Sequence, residues 1–61
     1  MPIVTIQARE IPTEKKRELV DKITALVSET YGLPAETITV LIHELPGENI
    51  GVAGCLLADR R

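Results

Sequence analysis

The chain contains no phenylalanine and no tryptophan, and only one tyrosine, one cysteine and one histidine among 61 residues. Each scarcity removes a class of protein. Without Phe and Trp there are few platforms on which unpaired bases could stack. A formal net charge of −2 leaves no basic excess to neutralise phosphates, so no nucleic-acid partner is expected. A lone Cys55 makes an intrachain disulfide impossible, and it reads as a small buried hydrophobe. Cys55 and His43 together fall short of the four ligands of a closed structural zinc site, so no metal is expected. No stretch approaches the roughly 18 apolar residues of a membrane span. The N-terminus has neither the charged nor the apolar region of a signal peptide, and a lone thiol suits a reducing compartment. A cytoplasmic protein with no membrane partner is expected.

The same scarcities bear on stability. Sixty-one residues make a single domain, 1–61. A chain of this size buries only about 60% of its unfolded surface, and such chains usually rely on disulfides, a metal or oligomerisation. The first two are excluded. Aromatics would supply the largest apolar areas per residue, and here they are almost absent. Association with other chains is what remains.

What is present is well patterned. From Ile3 to Ala8 the residues are mostly strand formers, with Val4, Ile6 and Ala8 on one face and Ile3, Thr5, Gln7 and Arg9 on the other. Pro12 and Thr13 mark a boundary, and Thr13 is placed to cap a helix with Glu14 suited to its dipole. Leu19, Val20, Ile23, Leu26, Val27 and Tyr31 then form one apolar stripe at helical period. Lys15, Glu18, Asp21, Lys22 and Glu29 form the solvated face. Gly32 and Pro34 end the helix. Ile38–His43 reads as a second strand. Pro46-Gly47-Glu48-Asn49 is a turn, and Ile50–Gly54 with Cys55–Leu57 makes a short ribbon. A helix of about 17 residues spans roughly 25 Å and can carry the chain back to a parallel strand. The expected fold class is α+β: a β-α-β unit with a right-handed crossover plus a short C-terminal β-hairpin. Two parallel strands with a helix on one face leave the other face and both edges uncovered, so the chain should oligomerise through its sheets.

One residue carries chemistry. Pro2 follows the initiator Met1, and a Met before a small residue is normally clipped. Clipping leaves a secondary amine where there was an amide. The α-amino group has a reference pKa of about 7.7–8.0, and a general base works best when its pKa lies near the operating pH. The plain alternative is a proline that merely leads a strand, where no N–H donor is needed.

Met1-Pro2-Ile3-Val4-Thr5-Ile6, the helix ending Tyr31-Gly32-Leu33-Pro34, the strand Ile38-Thr39-Val40-Leu41-Ile42-His43-Glu44 and the stretch Glu48-Asn49-Ile50-Gly51-Val52-Ala53-Gly54 together resemble the 4-oxalocrotonate tautomerase family over essentially the whole chain. The resemblance implies the tautomerase fold, assembled as a homohexamer (a trimer of dimers), and Pro2 as the catalytic base. It implies a small-molecule substrate and no metal or organic cofactor. The chain also departs from the family pattern. Members acting on dicarboxylate enols carry an arginine in the loop after the first strand, where this chain has Ile11 or Pro12 and one residue fewer. A second arginine is replaced by Thr39, and an aromatic by Ile50. Thr39 cannot reproduce the bidentate fork of an arginine.

The candidate site residues are therefore Pro2 as base, with Arg9, Thr39, His43 and Ile50 around the substrate. Arg9 ends the first strand near the missing loop arginine, or is a surface residue paired with Glu10 or Glu44. His43 shares a strand face with Thr39 and is of the residue type that serves as a second acid–base group, or is a hydrogen-bonded interface histidine. Gly51 and Gly54 allow close backbone approach. Arg60 and Arg61 reach a neighbour's site or form a solvated tail. Two functions follow. One is a cofactor-independent keto–enol tautomerase or isomerase acting on a small enol or unsaturated keto acid. The alternative is a weakly active or non-catalytic subunit of a homo- or hetero-oligomer of tautomerase-like chains.

Overall fold

A computed structural model describes residues 1–60; Arg61 lies outside the described residues. Strand β1 (Ile3–Ala8) is followed by helix α1 (Thr13–Tyr31) and strand β2 (Thr39–Glu44). A hairpin of β3 (Gly51–Val52) and β4 (Cys55–Leu56) comes last. Short 3₁₀ turns occupy Ala35–Thr37, Gly47–Asn49 and Leu57–Asp59. Strands β1 and β2 are parallel, in the register Ile3↔Thr39 through Ala8↔Glu44. The ladder is extended at one end by Thr39 N–H donating to Pro2 O (3.1 Å), and at the other by Leu45 N–H donating to Ala8 O (2.9 Å).

Alternation places Val4 and Ile6 on the half-buried face of β1 and leaves Ile3, Thr5 and Gln7 exposed. In β2, Val40 and Ile42 are half-buried, while Leu41 and His43 are exposed. The helix lays Leu19, Val20, Ile23 and Val27 inward but leaves Leu26 and Tyr31 64% and 67% exposed. The stripe expected from sequence is thus wider than one sheet face can cover. Gly32 adopts the left-handed conformation (φ 68°), and Leu33 N–H reaches back to Ser28 O at 3.2 Å, as glycine-terminated helices do.

Thr13 does not cap the helix. It is the first helical residue, and Pro12 occupies the capping position with no side-chain cap bond. Proline before a helix brings a preset φ, here −59°, and its carbonyl accepts from Lys15 and Lys16 N–H at 3.0 and 3.2 Å. Cys55 is half-buried rather than buried.

No hydrophobic side chain is fully buried among the described residues; Gly47 is the one buried residue of any kind. The molecule measures 44 × 23 × 13 Å, with a radius of gyration of 14.9 Å, against about 10.5 Å for a compact domain of this length. Its accessible surface is 4830 Å², whereas a monomeric protein of 6.7 kDa exposes about 3900 Å². The excess, roughly 900 Å², matches what one partner buries in a standard protein–protein interface. No helix among the described residues is long and apolar enough to cross a membrane.

Candidate active site

Pro2 is half-buried at the start of β1, with its carbonyl held by the Thr39 amide. Its nitrogen is bonded to Met1, which is 86% exposed. With Met1 attached that nitrogen is an amide and neither takes nor gives a proton. Thr39, half-buried, lies diagonally beside Pro2 because β1 and β2 are parallel and Ile3 pairs with Thr39. This end of the sheet therefore holds Pro2 and Thr39 together.

The other candidates lie at the opposite end. His43 pairs with Gln7, four strand steps or about 13 Å from Thr39, and is exposed. Arg9 follows β1, and its Nη1 donates to Leu45 O at 3.1 Å. Ile50 follows the Gly47–Asn49 turn; its N–H donates to Gly47 O (3.3 Å), and its carbonyl accepts from Leu57 N–H (2.9 Å). The six residues of β1 span about 20 Å. Within one chain the structure thus brings Thr39 to Pro2 and keeps Arg9, His43 and Ile50 away from it.

Arg9 packs closely against Gly47. A Cβ on Gly47 would stand 3.1 Å from both Arg9 Nη1 and Ala58 N, so a side chain there would crowd the guanidinium by a few tenths of an ångström. Arg60 is not a free tail residue: its Nη2 donates to Val52 O at 2.9 Å.

Glu44 enters the sequence reading only as a partner for Arg9; the structure gives it other partners, and Arg9 bonds Leu45 O instead. One carboxylate oxygen accepts from Ile11 N–H at 3.0 Å, and the other takes the Lys16 ammonium. The Lys16 ammonium and the Ile11 amide hold its carboxyl below the ordinary 4.5. The donors lie 33 and 28 residues away, so no local spacing signals the contact. Two grooves flank α1. One of about 480 Å³ is lined by Thr13, Lys16, Arg17, Val20, Asp21 and Thr24. The other, about 250 Å³, is lined by Ile11, Lys15, Glu18, Leu19 and Lys22. Neither touches Pro2 or Thr39. Among the described residues no three His, Cys, Asp or Glu side chains come together as a metal site.

Strand, helix, strand and hairpin in this arrangement define a tautomerase-fold protein. A family model described as tautomerase enzyme matches residues 2–60. The 2-hydroxymuconate tautomerase of Bacillus subtilis is 45% identical over 60 residues, 97% of each chain. DmpI from Archaeoglobus fulgidus superposes with a TM-score of 0.86 at 43% identity, covering 95% of this chain and all of that one. A 4-oxalocrotonate tautomerase homologue superposes with a TM-score of 0.94 at 32% identity, covering 100% and 98%. The chain belongs to the 4-oxalocrotonate tautomerase family, and it is an enzyme of the isomerase class with tautomerase activity.

Proposed function

We propose that this tautomerase uses the Pro2 amine, freed by loss of Met1, as its base, in a site completed by a second copy of the chain. The observation that carries the reading is the setting of Pro2. Its carbonyl is tied into the ladder by Thr39 N–H, while its nitrogen leads out of the ladder behind a single exposed residue. Removing that residue exposes an amine on a rigid strand. The amine takes the hydroxyl proton of an enol, the C–O bond becomes C=O, and the electron pair moves along the conjugated system. The prolinium then returns a proton to the carbon that receives the pair. Atoms balance with no cofactor.

A second copy is required because Arg9 and Pro2 occupy opposite ends of β1. Copies related by a two-fold axis and paired edge to edge run antiparallel. That pairing sets the Pro2–Thr39 end of one copy against the Arg9–His43 end of the other. Both outer edges of the two-stranded sheet are open for it, and the missing core calls for it. The proposed assembly is a homohexamer built as a trimer of dimers. A hetero-oligomer in which another family chain supplies further cations is the alternative.

The composite site contains one cation near Pro2, Arg9 of the neighbour, and a hydroxyl at Thr39 in place of a second. The substrate class that fits is a small enol or unsaturated keto acid with one carboxylate, and His43 and Ile50 of the neighbour border it. The test is ketonisation of phenylenolpyruvate and 2-hydroxymuconate by chain whose N-terminus has been established by mass spectrometry. Processed chain should turn over both, the monocarboxylate more readily, and chain retaining Met1 neither. Equal activity of the two forms removes the amine from the mechanism.

A further inference from the structure

Glu44 closes β2 at the point where the chain leaves the sheet. Its two carboxylate oxygens are engaged by separate pieces of the fold: the Ile11 amide in the loop between β1 and α1, and the Lys16 ammonium on the helix. Both side chains of the ion pair are largely covered, at 26% and 28% exposure. The ion pair alone would be a stabilising surface contact of small value. The bond to the Ile11 amide is different, because it fixes backbone. Between β1 and α1 there are only four residues, Arg9 to Pro12, and α1 begins without a side-chain cap. The Glu44 carboxylate, brought from β2, takes hold of the backbone just ahead of the capping residue Pro12.

The next residue completes the arrangement. Leu45 N–H donates to Ala8 O at 2.9 Å, and Leu45 O accepts from Arg9 Nη1 at 3.1 Å. Ala8, Arg9 and Ile11 are therefore all fastened to the dipeptide Glu44-Leu45. Arg9 is held directly by the carbonyl on one side, and its loop by the carboxylate on the other.

We propose that Glu44 is a positioning residue for the substrate-binding end of the chain: through Ile11 it sets the path of the Arg9–Pro12 loop, and with it where the Arg9 guanidinium is presented to a neighbour's Pro2. The link to substrate rests on the composite site proposed above; the hold on the loop does not. Glu44 itself touches neither Pro2 nor the reacting atoms.

The experiment uses the processed full chain with Glu44→Ala, Glu44→Gln and Lys16→Met. It reads amide hydrogen exchange at Ile11 by NMR, together with kcat and KM for phenylenolpyruvate. Glu44→Ala should speed Ile11 exchange and raise KM by about three- to tenfold, the range of one net hydrogen bond, with kcat within about twofold. Glu44→Gln still offers an amide oxygen to Ile11 and should recover most of both. Lys16→Met should leave Ile11 protected. A merely structural Glu44 would lower thermal stability without separating KM from kcat. Unchanged Ile11 exchange in Glu44→Ala overturns the hold on the loop. Faster exchange with unchanged KM overturns the link to substrate. Should Glu44→Ala fail to assemble, Glu44→Gln against Lys16→Met decides: loss of Ile11 protection in the Gln variant alongside unchanged KM refutes the proposal. If processed wild-type chain is inactive on either enol, the amine reading falls, and Ile11 exchange still decides whether Glu44 holds the loop.

Discussion

Pro2 and Arg9 bracket the same strand from opposite ends, the first immediately before Ile3 and the second immediately after Ala8. About 23 Å of extended chain separates them, and the Arg9 guanidinium is turned onto Leu45 O. In the roles proposed for them, the two meet one substrate only across a subunit boundary. The open sheet edges and the absence, among the described residues, of any fully buried hydrophobic side chain point to association from the side of stability.

Subunit complementation follows. Chain carrying Arg9→Ala and chain with a blocked Pro2 nitrogen should each be impaired. Mixed and allowed to exchange, they should regain activity, because a mixed pair contains one site with both native residues. Random pairing in two-fold dimers gives about a quarter of the wild-type sites. Activity that never exceeds the average of the two parents would place Pro2 and Arg9 in separate roles.

Much of this arrangement is legible in the sequence. Alternation in Ile3–Ala8, the helical stripe from Leu19 to Tyr31 and the Gly32 stop are local signals, and each element forms where they fall. The β2 boundaries shift by one residue, to Thr39–Glu44, because the ladder begins where Thr39 finds Pro2 O. Three features are not local and could not be read. Thr13 was expected to cap α1, but Pro12 takes that position and Glu44 approaches from β2. Arg9 is bonded to Leu45 O and packed against Gly47, 36 and 38 residues further on. Sequence spacing placed Arg9 beside the missing loop arginine without showing that both belong to the end of the strand remote from Pro2.

Acid should find Glu44. Its carboxyl titrates below 4.5 in the folded chain, first because of the Lys16 ammonium and next because of the Ile11 amide. A carboxylate with a depressed folded pKa contributes stability that is present above its unfolded value and lost as pH falls through the folded one. The urea midpoint of wild-type chain should therefore drop more steeply below pH 4.5 than that of Glu44→Gln, at matched concentration. Lys16 is the cation paired with this group. Parallel acid limbs would remove Glu44 as a source of acid sensitivity.

The hairpin contains a residue of unsuitable type. Val52 pairs with Cys55, so Ala53-Gly54 is a two-residue turn, and both residues have positive φ, 55° and 78°. Such turns favour glycine or asparagine at both places. A left-handed alanine costs about 1–2 kcal/mol, and glycine's extra unfolded freedom offsets about 0.5–1 of that. Ala53→Gly should stabilise the chain by about 0.5–1 kcal/mol, read by urea unfolding at fixed protein concentration. Destabilisation would mean that the Ala53 methyl makes a contact in the assembly.

Thr39 offers the sharpest test of substrate class. It is half-buried beside Pro2, and in the proposed site it takes the place of a second cation. A charged hydrogen bond contributes about 1.5–3 kcal/mol, and about 1.36 kcal/mol is tenfold in rate. Thr39→Arg should therefore raise kcat/KM for 2-hydroxymuconate by about 10- to 100-fold and leave phenylenolpyruvate, which has no second carboxylate, within about threefold. Pro2→Ala in the same background should lower both, without abolishing either, since an N-terminal alanine still presents an amine. If Thr39→Arg improves both enols equally, the added charge acts on the base rather than on the substrate. If it improves neither, Thr39 does not face the site, and the Pro2–Thr39 end is not where the second carboxylate would lie.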